Sequence, residues 1–265
     1  ANTLNSIGNL YLSISDYSKS LEYYFKCLEI RKKIFGENSK EAANTYNNIG
    51  IVYRRLSDYN NALYYFIKTS EIFIHFGLIN SSLAKNYDNI GNVYKNKSEY
   101  SKALTFYFKA LKIRLEVLGE NSMDVATSYN NIGILYSDIM EFEKSLEYHF
   151  KSLDIKSKLL GTNSLEVAET YNNIGTVYED LGEIDIAIDY FLKSLEIMNT
   201  IFEENSFHHA ILYNNIGNLY NKKDDTEKAL EYHLKSLEID LKHVGEISYD
   251  VALADHNIGN IYFGK

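Results

Sequence analysis

Apolar positions recur along this chain at spacings of three and four, and the whole pattern returns on itself about every 42 residues. In the stretch YNNIGTVY, Tyr171 to Tyr178, an advance of 100° per residue gathers Tyr171, Ile174, Gly175 and Tyr178 into one arc of roughly 100°. Glu169, Asn173, Thr176 and Asp180 fall in the opposite arc. The first set predicts a packing face and the second a face turned to solvent. Tyr129, Ile132, Gly133 and Tyr136 repeat the packing face, as do Tyr213, Ile216, Gly217 and Tyr220. The register is set by seven glycines: Gly8, Gly50, Gly91, Gly133, Gly175, Gly217 and Gly259. Their intervals are 42 residues except for Gly50 to Gly91, which is 41. A fixed period of this size predicts a solenoid of one supersecondary unit that cannot bury its apolar face alone. Glycine inside a helix costs about 1 kcal/mol against alanine, so its presence in every copy predicts close approach of a neighbouring helix.

Each period holds a second helical pattern. Ala103, Leu104, Tyr107, Phe108 and Leu111 form its apolar stripe in one copy, and Ala187, Ile188, Phe191, Leu192 and Leu195 in another. Ser57-Asp58, Ser98-Glu99 and Asp224-Asp225 are the candidate caps that start it. Gly119-Glu120-Asn121-Ser122 and Gly161-Thr162-Asn163-Ser164 supply a helix stop and a cap for the next copy. Nothing alternates with period two, so the class expected is all-α. The expected array is one continuous domain of repeats at approximately 1–42, 43–83, 84–125, 126–167, 168–209 and 210–251, with a partial seventh at 252–265. Phe76-Gly77-Leu78-Ile79-Asn80-Ser81 replaces the usual turn and is one residue short, predicting a change of helix length or twist there. The seventh copy carries only a first helix, Tyr249 to about Phe263, with Asp255 in place of tyrosine. That substitution suits an end cap, but Ile258, Gly259 and Tyr262 still call for a packing helix and favour truncation.

Composition narrows the partners. A net charge of −9 with a pI near 5.3 argues against general affinity for phosphate backbones, and no apolar run approaches the ~18 residues of a membrane span. No nucleic acid or membrane is expected. Proline is absent, which suits long helices. The single cysteine, Cys27, forms no internal disulfide and fits a reducing, cytoplasmic setting. No stretch resembles a signal peptide, and because the first residue is Ala1 rather than Met, the N-terminus reads as a boundary within a longer chain.

The residues Tyr46, Ile49, Gly50, Tyr53, Ala62 and Phe66, and again Tyr171, Ile174, Gly175, Tyr178, Ala187, Phe191 and Ser194, resemble the tetratricopeptide repeat (TPR) along essentially the whole chain. The closing proline is missing and the period is 42 rather than 34; the longer second helix and the Gly-Glu-Asn-Ser turn look like the kinesin light chain variety. The resemblance implies a right-handed superhelix of antiparallel helix pairs, six full units plus the first helix of a seventh. Its concave wall, lined by first helices, would bind peptides.

The candidate site lies on the solvent side of the first helices. Asn48, Asn89, Asn131, Asn173, Asn215 and Asn257 stand two residues before their glycines, where the first copy has Ser6. Asparagine is a mediocre helix former, so the row reads as a ladder of amides offered to the main chain of a peptide. A second row, Asn47, Asn130, Asn172 and Asn214, falls between the two faces and is expected to bond within its own repeat. Charges vary along the same wall: Arg54, Arg55 and Lys95 in early copies, Asp138, Glu179 and Asp180 in later ones, then Lys222 and Lys223. This pattern predicts orientation of a peptide of complementary charge. A carboxylate clamp of the kind TPR proteins use for C-terminal tails matches at Asn9, Asn48 and Lys85 but has Asn5 and Asn89 where two cations belong, and so is disfavoured.

Enzymatic signals are weak. His208 and His209 are adjacent and point to different sides of a helix; His149 and His233 occupy the aromatic place of the second helix; Cys27 takes a small-residue packing place. No phosphate loop or nucleophile motif is present, and no cofactor or metal is expected. The expectation is a noncatalytic scaffold binding a protein or peptide in its groove. The alternatives are a regulatory arm of a larger signalling enzyme and a module that self-associates through its open ends.

Overall fold

The computed structural model describes residues 1–202, 206–244, 251–252, 256–259 and 261. Among them there is no strand, and twelve helices run in order: α1 Asn2–Ser13, α2 Tyr17–Phe35, α3 Lys40–Arg55, α4 Tyr59–His75, α5 Ser81–Asn96, α6 Tyr100–Leu118, α7 Met123–Asp138, α8 Phe142–Leu160, α9 Leu165–Asp180, α10 Ile184–Ile201, α11 Phe207–Lys222 and α12 Thr226–Val244. They form consecutive pairs, each odd-numbered helix packed on the even one that follows. From α3 onward each pair begins three residues before the boundary read from the repeat. Contacts divide the chain into two compact units, Ala1–Glu120 and Asn121–Lys265. In the first, α2 packs on α3 and α4 on α5; in the second, α8 packs on α9 and α10 on α11. Residues 251–252, 256–259 and 261 are helical, while Tyr249, Asp255, Tyr262 and Phe263 lie outside the described residues.

Turn chemistry explains where the helices stop. Ser15, Ser57, Ser98, Met140, Gly182 and Asp224 all take the left-handed conformation, with φ of 59° at Ser57 and 78° at Gly182. The next residue is always acidic, and its N–H returns to the carbonyl five residues earlier, as in Asp58 to Tyr53 and Glu141 to Tyr136, both at 2.9 Å. The Asp members then cap the second helix, Asp58 Oδ1 accepting from Asn61 N at 3.1 Å and Asp225 Oδ1 from Lys228 N at 3.2 Å. Of the expected cap pairs, therefore, Ser57, Ser98 and Asp224 make the turn, and Glu99 caps with no side-chain bond. The caps before the first helices follow expectation: Ser122 Oγ accepts from Val125 N at 3.3 Å and Ser164 Oγ from Val167 N at 3.4 Å. In the irregular copy α4 is 17 residues against 19 in α6, and Asn80 caps α5 through Ser82 N and Leu83 N.

The repeated glycine is where a ring of the paired helix enters. A Cβ on Gly50 would lie 2.7 Å from the Phe66 ring, on Gly91 2.6 Å from Tyr107, on Gly133 2.9 Å from His149 and on Gly175 2.8 Å from Phe191. Gly8 meets Tyr24 and Gly217 meets His233 in the same way. Close approach thus occurs within the pair, and it places His149 and His233 in the aromatic position read from the sequence.

The first helices are buried on a second face that the helical wheel did not single out. Val167, Thr170 and Val177 are enclosed as fully as Ile174, because α9 also packs on α8 of the preceding repeat. At these joints the chemistry alternates. Arg31 Nη1 donates to Thr45 Oγ1 at 2.6 Å and to the Glu41 carbonyl at 3.0 Å. Lys156 Nζ makes the same pair to Thr170 Oγ1 at 2.7 Å and the Glu166 carbonyl at 3.2 Å, and burial pulls its ammonium pKa down. Phe73 and Met198 hold the corresponding places at apolar joints. Among the described residues no helix is long and apolar enough to cross a membrane.

Gly175→Ala is expected to destabilise the protein by about 1–3 kcal/mol in urea unfolding, because overpacking against Phe191 outweighs the ~1 kcal/mol helix-propensity gain. An equal or raised unfolding midpoint would show that the ring can retreat.

Candidate functional site

The asparagine rows meet across the joints. In the first unit Asn48 Nδ2 donates to Asn5 Oδ1 at 3.0 Å and Asn89 Nδ2 to Asn47 Oδ1 at 3.2 Å; in the second, Asn173 donates to Asn130 at 3.0 Å and Asn257 to Asn214 at 2.9 Å. In these four ties a residue two before a glycine bonds to one three before the preceding glycine, 42 or 43 positions back. The second row serves the joint instead of bonding only within its repeat. The expected ladder residues, Asn48, Asn89, Asn131, Asn173, Asn215 and Asn257, are all half-buried. Asn131 and Asn215 break the series: neither has a side-chain hydrogen bond among the described residues, and Asn172 Oδ1, to which the pattern would direct Asn215, is enclosed without a partner.

The charged positions divide between the units, Arg54, Arg55 and Lys95 in the first and Asp138, Glu179 and Asp180 in the second. Arg54 is half-buried with its Nε unpaired, and desolvation, then Arg55, lowers its pKa. Arg55 is exposed and Lys95 half-buried; Asp138 and Asp180 are exposed and Glu179 half-buried. Lys222 Nζ reaches Glu179 Oε1 at 2.6 Å, and Lys223 pairs with Asp185. Asp180 accepts from Ser137 Oγ at 3.5 Å. Its pKa is raised by partial burial first and by the neighbouring Glu179 second.

Two cavities open between first helices of the second unit, on either side of α9. One, of about 360 Å³, lies between α7 and α9 and is lined by Ile134, Ser137, Asp138, His149, Asn173, Thr176, Val177 and Asp180. The other, of about 350 Å³, lies between α9 and α11 over Ser194 and Met198 and is bordered by Asn172, Asn173, Phe207, Ile211 and Leu212. Asn173 belongs to both. A third cavity, of about 500 Å³, lies on the α4 side of the first unit, among Asn38, Tyr64, Ile67, Lys68 and Glu71. Among the described residues no group of three or more His, Cys, Asp or Glu could hold a metal ion.

The tetratricopeptide repeat model matches residues 1–74, 82–158, 140–200 and 166–242. The chain belongs to the tetratricopeptide repeat family. No curated protein matches it. Among solved structures, BtubC (BKLC) from P. vanneervenii is 22% identical over 88% of this chain and 91% of its own, with a TM-score of 0.72. A putative kinesin light chain from Podosopora anserina with nearly identical TPR-like repeats is 11% identical over 76% of this chain and 95% of its own, with a TM-score of 0.66. A Rap protein complexed with Competence and Sporulation Factor is 14% identical over 98% of this chain and 74% of its own, with a TM-score of 0.64. At these identities the likeness is one of fold, and it includes kinesin light chain-like TPR arrays.

Two features of this TPR chain escaped the sequence reading. From Gly50 to Gly217, the tyrosines four before and three after each repeated glycine, read as a packing face, are half-buried except for Tyr46 and Tyr213, which are buried, and they hold between them an aromatic ring fifteen residues after the glycine. Tyr190 sits 5.9 Å from Tyr171 and 5.4 Å from Tyr178, the latter stacked at 7°; Tyr65 and Tyr232 repeat the arrangement. A lysine three residues further covers the ring, Lys193 at 4.6 Å from Tyr190 and Lys109 at 4.8 Å from Phe106. The second feature is the joint pairing of Arg31 and Lys156 with threonines five before the next glycine. Both could have been found by aligning the copies column by column. The disfavoured clamp places are committed elsewhere: Asn9 Oδ1 accepts from Tyr24 Oη at 2.5 Å, and Asn5 from Asn48.

The joint beside α7 also contains His149, 1% exposed, whose Nδ1 lies 3.2 Å from Asn130 Oδ1. Because that oxygen already accepts from Asn173, the network assigns the proton of the neutral imidazole to Nδ1. Burial, helped by Lys156, holds the folded pKa at about 4, below the ~6.5 of an unfolded histidine. The unfolded chain protonates first, so this contribution to stability is whole above about pH 6.5 and is lost as pH falls toward 4. The loss at pH 5 is about 2 kcal/mol. His149→Phe is expected to flatten the dependence of the urea midpoint on pH over this window; an unchanged slope would refute the assignment. Asn173→Ala, which cuts the tie to Asn130, is expected to lower stability by about 0.5–1.5 kcal/mol, while Asn215→Ala leaves thermal melting unchanged.

Proposed function

We propose that this TPR chain is a noncatalytic scaffold that holds an extended segment of a partner protein along the wall of its first helices. The observation that carries the reading is the uncommitted amide of Asn215, which lies on α11 one turn beyond Ile211, a residue that lines a cavity between first helices. A half-buried amide with donor and acceptor both unused suits the main chain of a strand laid across it. The adjoining cavities give side chains of that strand somewhere to go. The amides of Asn48, Asn89, Asn173 and Asn257, each tied through one N–H, keep their remaining hydrogen-bonding capacity for the same strand, and Asn131 occupies the equivalent place on α7. The family's structural neighbours include a Rap protein in complex with a separate factor, which supports a partner-binding use of the fold. Arg54, Arg55 and Lys95 in the first unit, and Asp138, Glu179 and Asp180 in the second, would set the charge each unit prefers in a bound segment.

A segment recovered by pull-down with the whole chain, and titrated calorimetrically as a synthetic peptide, provides the test. Asn215→Ala is expected to weaken it about threefold to tenfold, the worth of one net hydrogen bond, with melting unchanged. Thr176→Arg, on the exposed side of α9, is expected to block the wall. Affinity untouched by both substitutions would move the binding surface elsewhere.

A further inference from the structure

The outward face of the second helices is ionic in most repeats, and α4 departs from it. Fourteen residues after the repeated glycine stand Glu22, Glu147, Asp189 and Glu231, and eighteen after it a lysine in every copy. One turn apart, Lys26 pairs with Glu22 and Lys151 with Glu147 at 2.5 Å, and Lys235 with Glu231 at 2.6 Å. In five repeats the same lysine lies over the ring fifteen after the glycine, from Lys26 over Tyr23 to Lys235 over Tyr232. In the second repeat Tyr64 takes the place of the acid and meets the Tyr65 ring edge-on, with centroids 5.0 Å apart. Lys68, deprived of that acid, turns away: it pairs with Glu37 and lies over Tyr46 at 4.8 Å.

The next pair along α4 is lost as well. Where Lys158 meets Asp154 at 2.6 Å on α8, α4 has Glu71 followed one turn later by His75. No described lysine or arginine pairs with Glu71, although Lys and Arg outnumber Asp and Glu by 16 to 11 in the first unit. Tyr64, Ile67, Glu71 and His75 follow one another at spacings of three and four, so they line one face of α4 over about 16 Å. Together with Asn38, from the turn between α2 and α3, they border the cavity of about 500 Å³, and buried Ile72 forms part of its floor. Tyr64 is 57% exposed and Ile67 40%. The cavity joins an aromatic ring, an aliphatic wall and one carboxylate that lacks a cation.

We propose that this face is a docking site for a segment of a partner protein that lays an arginine along α4. The methylene stem covers Ile67 and the Tyr64 ring. The guanidinium, more weakly hydrated than an ammonium and able to grip a carboxylate with two N–H groups, meets Glu71. Lys68, the one lysine of α4, is neutralised by Glu37 and leaves the seat to a cation from outside. The site lies on a second helix, so it is independent of the first-helix wall.

Random nonapeptides displayed on phage, depleted on the chain carrying Tyr64→Thr and His75→Lys and then panned against the unaltered whole chain, provide the test. The first substitution copies Thr105 of the third repeat and the second restores the pair made by Lys158 and Asp154, so thermal melting is expected to stay unchanged or rise slightly. Peptides that survive depletion are expected to carry an arginine. Replacing it with glutamine in the synthetic peptide should weaken binding about twofold to fivefold. The same replacement should cost nothing against Glu71→Gln, as a double-mutant cycle requires of a direct pair. Failure to recover any peptide that separates the two chains overturns the site. Recovered peptides without an arginine overturn it as well, as does an arginine whose loss Glu71→Gln feels equally. Peptides taken out by the depletion step report on other surfaces, the first-helix wall included, so the two readings fail separately.

Discussion

The contact between a glycine of one helix and the flat face of a ring in its partner is the constraint on which the rest depends. Without a Cβ, the first helix of each pair lets in Phe66, Phe191 or an equivalent ring at a distance no side chain would permit. This sets the separation of the two axes, and the separation decides what the tyrosines around it can do. With the axes this close, Tyr171 and Tyr178 reach around a second ring, Tyr190, and a lysine covers the sandwich. The ~1 kcal/mol lost to a mid-helix glycine is offset by burial of a whole aromatic side chain, worth about 1.5–3 kcal/mol.

Joints between repeats follow a different logic. A pair is held by rings, a joint by a row of small apolar groups with one variable polar contact. Half-buried Arg31 and buried Lys156 each satisfy both a threonine hydroxyl and a helix carbonyl. A buried cation with good partners adds little net stability against an apolar pair of similar volume, but it fixes which groups must face one another. The asparagine ties above it act in the same sense at lower cost. Because half-buried amides are bonded across the joint, the first helices of neighbouring repeats in each unit are kept in register. Substituting such an amide disturbs packing and any ligand contact together, which makes Asn215, outside that network, the cleaner probe of binding.

Much of this was legible in the sequence because it repeats. The helix pairs, the stop at Gly119 and Gly161, the caps at Ser122 and Ser164, the aromatic place of His149 and the shortened α4 all follow from comparing copies. Two things were hidden, each for a physical reason. A wheel drawn on a single helix finds one apolar arc, and the second buried face of α9 is written in Thr170, Val167 and Val177, where small and polar residues mask the periodicity. The asparagine rows were read as one facing a ligand and one facing inward, since nothing in a linear sequence says that two amides 43 residues apart are within 3.0 Å. Ser57 and Ser98 were assigned to caps on residue type alone, whereas φ near 59° requires them to make the turn.

Variation among the copies is then the place to look for function, since the shared residues are occupied with holding the array. The fifth and sixth repeats lose the polar joint pair, the bonded rung and the enclosed surface at one boundary, where Met198 and Leu212 replace cation and hydroxyl and Ile211 is left outside. The fourth repeat, like the second, fifth and sixth, lacks the tyrosine hydroxyl that the first and third direct to the residue after the glycine. Neither change is required for helix pairing, because Phe191 and His149 still seat against their glycines. A boundary that keeps its packing while giving up its polar ties has become less specific for its neighbour repeat and more available to a third chain.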